Sequence, residues 1–294
     1  MADHRAGYVA IVGRPNVGKS TLLNRLVGAK VSITSRRPQT TRHRVSGIVT
    51  RPDAQLVFVD TPGFQTEHRS LLNRKMNQVV TRTLEGVDVV VFVVEALRFD
   101  ARDRALVELL PRQVPVVLVI NKVDRVRPRS QLLPYLQRMA TVFDFRALIP
   151  VCAESGDQVP ELVSAIVPLL PEQPALYGAD EITESSERFL AAELVREKIF
   201  RLLGEELPYA LTVEIEKFET EGKLRRIHAA VIVDRPSQKG IVIGAGGEKL
   251  KAIGSQARRD MEELFGGKVH LELWVKIRSG WADDEMALRQ LGYE

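Results

Sequence analysis

The fold of the N-terminal half of this chain is best read from the stretch Gly7-Tyr-Val-Ala-Ile-Val-Gly-Arg-Pro-Asn-Val-Gly-Lys-Ser20. Its apolar run Gly7–Val12 predicts a buried parallel strand, and apolar residues at helical spacing begin directly after Lys19. A strand that enters a glycine-bounded loop and then a helix is the context in which the GxxxxGK[ST] pattern indicates a phosphate-binding loop. The sequence therefore predicts such a loop between Gly13 and Ser20.

The residue types of this loop suit phosphate and a divalent cation. Gly13 and Gly18 let the backbone N–H groups point at phosphate oxygens, and the helix that follows adds its positive dipole end. We expect Lys19 to contact the outer phosphates and Ser20 to hold Mg²⁺ through its hydroxyl. The loop alone does not distinguish ATP from GTP. The predicted phosphate-binding residues are Gly13, Arg14, Pro15, Asn16, Val17, Gly18, Lys19, Ser20 and Thr21.

A second segment, Asn121-Lys-Val-Asp124, indicates the base. It follows the buried strand Val114–Ile120, at the sheet edge where open α/β sheets bind ligands. The Asp124 carboxylate suits the two adjacent donors of guanine, whereas adenine would leave it unpaired at a cost of about 1–3 kcal/mol. We expect Asn121 to brace the loop and Lys122 to lie along the base. Together with the pair after strand Ala147–Val151, the predicted guanine-binding residues are Asn121, Lys122, Asp124, Cys152 and Ala153.

A third segment, Asp60-Thr-Pro-Gly63, follows the strand Gln55–Val59 and predicts a sensor of the terminal phosphate. Asp60 suits Mg²⁺ held through water, and the Gly63 N–H suits the γ-phosphate. A threonine from the preceding polar loop would complete the Mg²⁺ shell; Thr41 is the first choice and Thr40 remains open. The predicted switch residues are Thr40, Thr41, Asp60, Thr61, Pro62 and Gly63, and the predicted Mg²⁺ residues are Ser20, Thr41 and, through water, Asp60.

The water-orienting glutamine of many signalling GTPases is replaced here by Phe64. An apolar ring cannot orient water, so another group must supply charge or geometry. Asn16 is the candidate: it either ligates a potassium ion that supplies the charge, or it only braces the loop. The sequence leaves these two alternatives open.

Composition is compatible with two domains and excludes several classes of protein. The 294 residues suffice for two cores, and the single cysteine, Cys152, excludes an internal disulfide. No apolar run approaches the roughly 20 residues that span a bilayer, and the N-terminus lacks the pattern of a signal peptide. The net charge of +4 permits nucleic-acid binding without requiring it. We expect a cytoplasmic protein.

Alternating strand and helix patterns predict an α/β domain over residues 1–170, with a mostly parallel six-stranded sheet and helices on both faces. The strand pair Val45–Thr50 and Gln55–Val59 is the exception, because a short turn between them makes it antiparallel. A segment rich in proline and acidic residues, 171–184, predicts a linker.

Residues 185–280 predict a smaller α+β domain, followed by a polar tail over 281–294. The order helix, strand, strand, helix, Gly-x-x-Gly, helix, strand is that of a type II KH domain, whose loop clamps single-stranded RNA. Trp274 alternates with strand residues and is expected in the core, which leaves Trp281 as the aromatic candidate for a ligand. The predicted RNA-binding residues are Gly244, Ala245, Gly246, Gly247, Lys239, Lys249 and Lys251.

Taken end to end, the chain resembles the Era family of bacterial GTPases with a C-terminal KH domain, within the TrmE-Era-EngA-like superfamily. The resemblance rests on the three nucleotide segments and on Gln39–Arg44, Leu190–Lys198, Ile243–Gly247 and Leu271–Lys276. It implies binding to the 3′ end of 16S ribosomal RNA, GTP hydrolysis with Mg²⁺, a role in assembly of the small ribosomal subunit, a monomer, and peripheral association with the inner membrane. One departure is Ala245, where relatives often carry a lysine that contacts phosphate.

Two interpretations of the whole chain compete. In the first, the GTP or GDP state controls RNA binding; in the second, the KH domain binds RNA constitutively and the nucleotide site is mainly structural. A metabolic ATPase is disfavoured by Asp124.

Overall fold

The computed structural model describes residues 4–35, 40–65, 70–203 and 211–293. The chain forms two compact units. The first comprises Met1–Ser32, Thr41–His68 and Asn73–Glu184, and the second comprises Ile33–Thr40, Arg69–Leu72 and Ser185–Glu294.

The first unit is built on a six-stranded sheet in the order β2-β3-β1-β4-β5-β6. Every neighbouring pair is parallel except β2 and β3. This confirms the predicted mostly parallel sheet and its antiparallel strand pair. The strands are β1 (Arg5–Val12), β2 (Val45–Thr50), β3 (Ala54–Asp60), β4 (Val89–Glu95), β5 (Val116–Asn121) and β6 (Ala147–Val151).

The central strands are apolar because helices cover both faces of the sheet. In β3, β4 and β5 every residue is buried. The parallel strands bring their carboxyl ends to one edge, which is where the three predicted nucleotide segments begin. The helices are α1 (Lys19–Val27), α2 (Leu71–Glu85), α3 (Ala101–Leu109), α4 (Leu132–Met139) and α5 (Val159–Ile166).

The second unit packs helices on one face of a three-stranded sheet, in the order β7-β8-β9. Strands β7 and β8 are antiparallel, and β8 and β9 are parallel. This order confirms the predicted KH arrangement. The alternating pattern of the sequence predicts that the first strand of this unit spans Tyr209–Phe218, and the beginning of that range lies outside the described residues. The elements are α6 (Glu187–Leu202), β7 (Leu211–Glu221), β8 (Leu224–Val233), α7 (Pro236–Ile243), α8 (Glu248–Phe265), β9 (Lys268–Ile277) and α9 (Glu285–Gln290).

The segment 171–184 lies along the first unit. The Ile48 N–H donates to the Ile182 carbonyl at 2.9 Å, and the Thr183 hydroxyl donates to the Ser46 carbonyl at 2.7 Å. Gln55 bonds the backbone of Tyr177 through both ends of its amide. The prolines of this segment prevent regular secondary structure, but backbone and side-chain hydrogen bonds still fix its path.

The prediction that Trp281 faces a ligand is wrong. Its side chain is 1% exposed and lies 6.2 Å, centroid to centroid, from the ring of buried Tyr293, whose hydroxyl bonds Thr212. Trp274 is only partly buried: it points away from the core face of β9 and meets the ring of His228 edge-on at 6.0 Å. The expected polar tail therefore folds back onto its own unit. Within the described ranges, no helix combines the length and the apolar character needed to cross a membrane.

Candidate functional site

The phosphate loop lies between the end of β1 and the start of α1. Two of its glycines are required by close neighbours: a Cβ on Gly13 would collide with the Val93 carbonyl oxygen, and one on Gly18 with the Asn121 amide. Gly18 also has a φ of 101°, in the left-handed region that favours glycine. Asn16, at the exposed tip, has a φ of 65°, which asparagine tolerates better than most residues. The loop is thus held in a concave shape by its neighbours.

Lys19 lies inside this concave loop. Its ammonium group donates to the carbonyl oxygens of Gly13 at 3.0 Å and Arg14 at 3.1 Å. Burial lowers the pKa of Lys19 to about 8, although the nearby Asp60 carboxylate opposes this shift. A phosphate anion would supply the negative charge that this buried ammonium lacks.

Three predicted Mg²⁺ residues meet in one buried cluster. The Ser20 hydroxyl donates to Asp60 Oδ2 at 2.7 Å, and the Thr41 hydroxyl lies 2.8 Å from Ser20 Oγ and 3.4 Å from Asp60 Oδ2. These contacts favour Thr41 over Thr40, which the sequence left open. The second predicted choice, Thr40, is also buried.

The Asp60 carboxylate fits a hard cation. It is fully buried, burial raises its pKa, and its Oδ1 has no hydrogen-bond partner in the described part of the chain. An unpartnered buried carboxylate oxygen is costly unless a cation or water satisfies it. Carboxylate, hydroxyl and water oxygens are the ligands that Mg²⁺ prefers.

Ser32 joins the same cluster, and sequence reasoning missed it. Its hydroxyl donates to Asp60 Oδ2 at 3.0 Å. Asn24 on α1 holds Ser32 in place, because its Oδ1 accepts the N–H groups of Val31 and Ser32 and its Nδ2 donates to the Ser32 carbonyl. A serine in a polar loop has no sequence signal that would mark this role; only the Asn24 clamp reveals it.

The segment after Asp60 crosses close to the phosphate loop. A Cβ on Gly63 would lie 2.8 Å from the Pro15 Cα, and the Phe64 N–H donates to the Gly13 carbonyl at 3.3 Å. The Thr61 hydroxyl donates to the Ile11 carbonyl at 2.9 Å. Phe64 itself packs against the apolar core beneath β1 and β4. The ring therefore serves packing, and the backbone of this segment faces the phosphate loop.

Asn121 connects the separate nucleotide segments. Its Nδ2 donates to the Val17 carbonyl at 2.8 Å, while its Oδ1 accepts the N–H groups of Lys122 and Ala153 at 2.8 and 3.0 Å. The Ala153 N–H, predicted to contact guanine, is thus used by Asn121, and a guanine contact would have to share or replace that bond. Asp124 is exposed beside this brace, and Cys152 is buried.

Arg25, near the end of α1, is a second residue that sequence reasoning missed. Its guanidinium donates to the Ala153 carbonyl at 3.3 Å and to the Glu154 carbonyl. In the sequence it is one basic residue in the last turn of a helix, which usually indicates a solvated side chain. Here it orients the loop after β6.

In the second unit, the predicted RNA-binding residues lie around the turn between α7 and α8. Gly244, Gly246 and Gly247 have φ values of 74°, 57° and 83°. Only glycine adopts these without strain, and the missing side chains leave the backbone open to a ligand. Ala245 and Gly246 are exposed at the tip, and so are the three flanking lysines, Lys239, Lys249 and Lys251.

Comparison with protein families gives two matches along the chain. Residues 8–122 match the family described as 50S ribosome-binding GTPase, and residues 206–282 match the KH domain family.

Individual proteins match over the full length. The chain is 57% identical to the GTPase Era of Nitrosomonas eutropha, covering 100% of this chain and 99% of the relative. It is 56% identical to the GTPase Era of Chromobacterium violaceum, covering 98% and 97%.

Two solved structures superpose with a TM-score of 0.94 at 39% identity. One is an Aquifex aeolicus Era variant bound to GDP·AlF₄⁻, with 98% of this chain and 99% of that one covered. The other is Era in complex with MgGDPNP and nucleotides 1506–1542 of 16S ribosomal RNA, with 99% of each chain covered.

Proposed function

The chain belongs to the family of the GTPase Era, and from this premise we propose that it acts as a GTP-dependent switch that binds 16S ribosomal RNA during assembly of the small ribosomal subunit. It is a GTP hydrolase with a P-loop GTPase domain followed by a KH domain. The observation that carries the nucleotide half of the proposal is the Asn121 side chain. It binds the phosphate loop and the loop after β6 at once, and this supports the proposal that the predicted phosphate and guanine segments act as one site.

The chemistry follows from the arrangement of the chain's own groups. Lys19 and the N–H groups of the loop Gly13–Ser20 would hold the β- and γ-phosphates. Mg²⁺, held by Ser20, Thr41 and water on Asp60, would neutralise charge that develops on the phosphates. The backbone N–H of Gly63 would contact the γ-phosphate and lose that contact after hydrolysis.

Asn16 has two possible roles in the site: it binds a potassium ion that stabilises charge on the phosphates, or it braces the phosphate loop. Because Phe64 packs into the core, it cannot orient the attacking water. Asn16 is exposed at the tip of the phosphate loop, where a potassium ion bound to its amide oxygen would stabilise charge on the phosphates. Turnover should then be faster in potassium than in sodium buffer and should lose this preference in Asn16→Ala. Equal turnover in both salts assigns Asn16 to bracing the loop.

The KH loop carries the RNA half of the proposal. Its exposed backbone at Ala245 and Gly246 would meet the sugar-phosphate chain, while Lys239, Lys249 and Lys251 would contact phosphates. The related Era structure with a bound 16S ribosomal RNA fragment supports this choice of partner.

A contact inside the second unit favours the switch over the constitutive module. Thr34 donates its backbone N–H to the fully buried carboxylate of Glu197 on α6 at 3.0 Å. Thr34 lies seven residues before the predicted Mg²⁺ threonine, Thr41.

The test is the RNA affinity of the full chain with a non-hydrolysable GTP analogue and with GDP. A short RNA from the 3′ end of 16S ribosomal RNA is the probe, and an unrelated RNA of equal length is the control. The switch predicts a difference of about fivefold or more between the two nucleotides. Equal affinities would favour the constitutive module.

The remaining assignments are proposals supported by the resemblance to Era proteins. We place the GTPase domain at 1–170, the linker at 171–184, the KH domain at 185–280 and the tail at 281–294. A cytoplasmic monomer associated peripherally with the inner membrane is the expected location and state; this membrane association rests on the resemblance alone.

A further inference from the structure

Glu95 lies at the carboxyl end of the strand that separates the phosphate and base segments in the sheet. It is the last residue of β4, and β4 lies between β1, which leads into the phosphate loop, and β5, which leads into Asn121. Glu95 pairs in register with Asn121, and the Ala96 N–H donates to the Asn121 carbonyl at 2.9 Å. Glu95 therefore lies on the strand between the two strands that lead into these segments.

Two cations from these segments share one oxygen of Glu95. The Arg14 guanidinium from the phosphate loop lies 3.7 Å from Oε2, and the Lys122 ammonium from the base segment lies 3.0 Å from the same atom. Lys122 also donates to the Asn16 carbonyl at 2.6 Å, on the tip of the phosphate loop. Glu95 and Lys122 thus join the two segments through side chains that touch both.

A second carboxylate fixes Arg14 from the other side. Asp103, which is fully buried near the start of α3, lies 3.2 Å from Arg14 Nε. Arg14 is itself only 7% exposed, so its guanidinium is committed to Glu95 and Asp103, and a phosphate contact would have to come from its backbone. Buried charges of this kind are stable only when paired, so removing Glu95 would leave Arg14 and Lys122 as neighbouring like charges.

We propose that Glu95 is a positioning residue that holds the phosphate loop and the base-binding segment in one register, and thereby couples recognition of the phosphates to recognition of guanine. The inference rests on the proposed nucleotide site. It assigns no contact with the nucleotide to Glu95, which acts through Arg14 on one segment and through Lys122 on the other.

The test measures recognition of the phosphates and recognition of the base with separate probes. Displacement of a fluorescent GDP by pyrophosphate reports on the phosphate loop, and displacement by guanosine reports on the base segment. Arg14→Gln should weaken pyrophosphate about tenfold and leave guanosine unchanged. Lys122→Met should weaken guanosine about tenfold and pyrophosphate to a smaller extent, because the Lys122 ammonium also bonds the Asn16 carbonyl of the phosphate loop. Glu95→Gln should weaken both probes about tenfold. Glu108→Gln, which removes an exposed carboxylate of α3, is the matched control and should change neither.

A Glu95→Gln protein that loses affinity for one probe only, or for neither, would overturn the inference. If that variant does not fold, the double variant Arg14→Gln/Lys122→Met replaces it: coupling predicts that its loss of GDP affinity is smaller than the product of the single losses, and a simple product overturns the inference. Failure of the wild-type chain to bind fluorescent GDP would instead refute the nucleotide site itself.

Discussion

At the residue scale, we expect base selectivity to depend on Asp124. It is exposed next to the Asn121 brace, which is held by hydrogen bonds to the phosphate loop and to Ala153. A fixed backbone with an open carboxylate suits a base that brings two adjacent donors. Sites built on such hydrogen bonds reject a mismatched ligand by roughly 10⁴-fold.

We therefore expect Asp124→Asn to lose GDP affinity by on the order of 10³-fold or more and to gain affinity for xanthosine diphosphate, because the amide donates where the carboxylate accepts. Equilibrium titrations with both nucleotides measure this. Asp144→Asn, an exposed aspartate of the same unit, is the control. An unchanged GDP affinity in Asp124→Asn would refute guanine recognition at this position.

Ser32 gives a prediction for the metal site. Its hydroxyl is one of three that bond Asp60 Oδ2, and Asn24 holds its backbone. Ser32→Ala should weaken Mg²⁺ binding to the GDP complex about tenfold, equivalent to about 1.5 kcal/mol, the lower end of the range for one hydrogen bond to a charged group. The measurement is the Mg²⁺ dependence of GDP release.

The control for this change is Ser164→Ala, which removes an exposed hydroxyl bonded within its own helix. Mg²⁺ titrations of Ser32→Ala that superpose on those of the wild-type chain would show that Ser32 does not position Asp60.

At the scale of elements, the turn between α7 and α8 explains how one departure from the family pattern is tolerated. The glycines at 244, 246 and 247 carry the positive φ angles, whereas Ala245 is not among the residues with positive φ. The side chain at position 245 therefore affects the charge of the turn and does not determine its backbone conformation.

Ala245→Lys should raise RNA affinity severalfold at low salt and steepen the slope of log affinity against log salt by about 0.7, the value for one added phosphate contact on a single strand. Filter binding over a salt series measures both. Thr220→Lys, at the exposed end of β7, adds the same charge elsewhere. Equal slopes in the two variants would place the RNA away from this turn.

Other elements show where local patterns suffice. Strands β2 and β3 are antiparallel because only a few residues separate them, too few for a crossover. Helix α9, by contrast, has six residues and lies in a stretch that reads as a polar tail. Its position depends on Tyr293 reaching Thr212, a contact across 81 residues that no local pattern contains.

At the scale of the whole molecule, nucleotide binding should raise the melting temperature of the protein. A ligand at 100 times its dissociation constant stabilises the folded state by about 2.7 kcal/mol, which for a unit of this size shifts the melting temperature by about 5–10 °C. We expect this shift with GDP and Mg²⁺, and a smaller one when EDTA removes the metal, because the buried Asp60 oxygen then lacks its cation.

Thermal unfolding followed by fluorescence measures the shift, and ADP with Mg²⁺ is the control. ADP offers the same phosphates and a base that Asp124 does not match. A shift with ADP as large as that with GDP would contradict a guanine-specific site.

Local sequence patterns are sufficient to predict the two units and the nucleotide segments, because these depend on local periodicity and on glycines whose positions the backbone requires. Gly13 and Gly18 are examples: each lies where a side chain would collide, and each is visible in the motif. Local patterns also predict Asp60, Asn121 and Asp124, because each of them ends or follows a strand at the binding edge.

The distant side chains that join the candidate site depend on the fold and cannot be found from local patterns. The choice of Thr41, the contribution of Ser32, the orientation of Arg25 and the junction at Glu95 depend on contacts between residues 19 to 128 positions apart. The tertiary structure also reversed the roles of Trp274 and Trp281, because burial is decided by what packs on a face and not by the residue's own neighbours in sequence. A motif specifies the backbone around a ligand, whereas the charges and hydroxyl groups that hold that backbone come from wherever the fold places them.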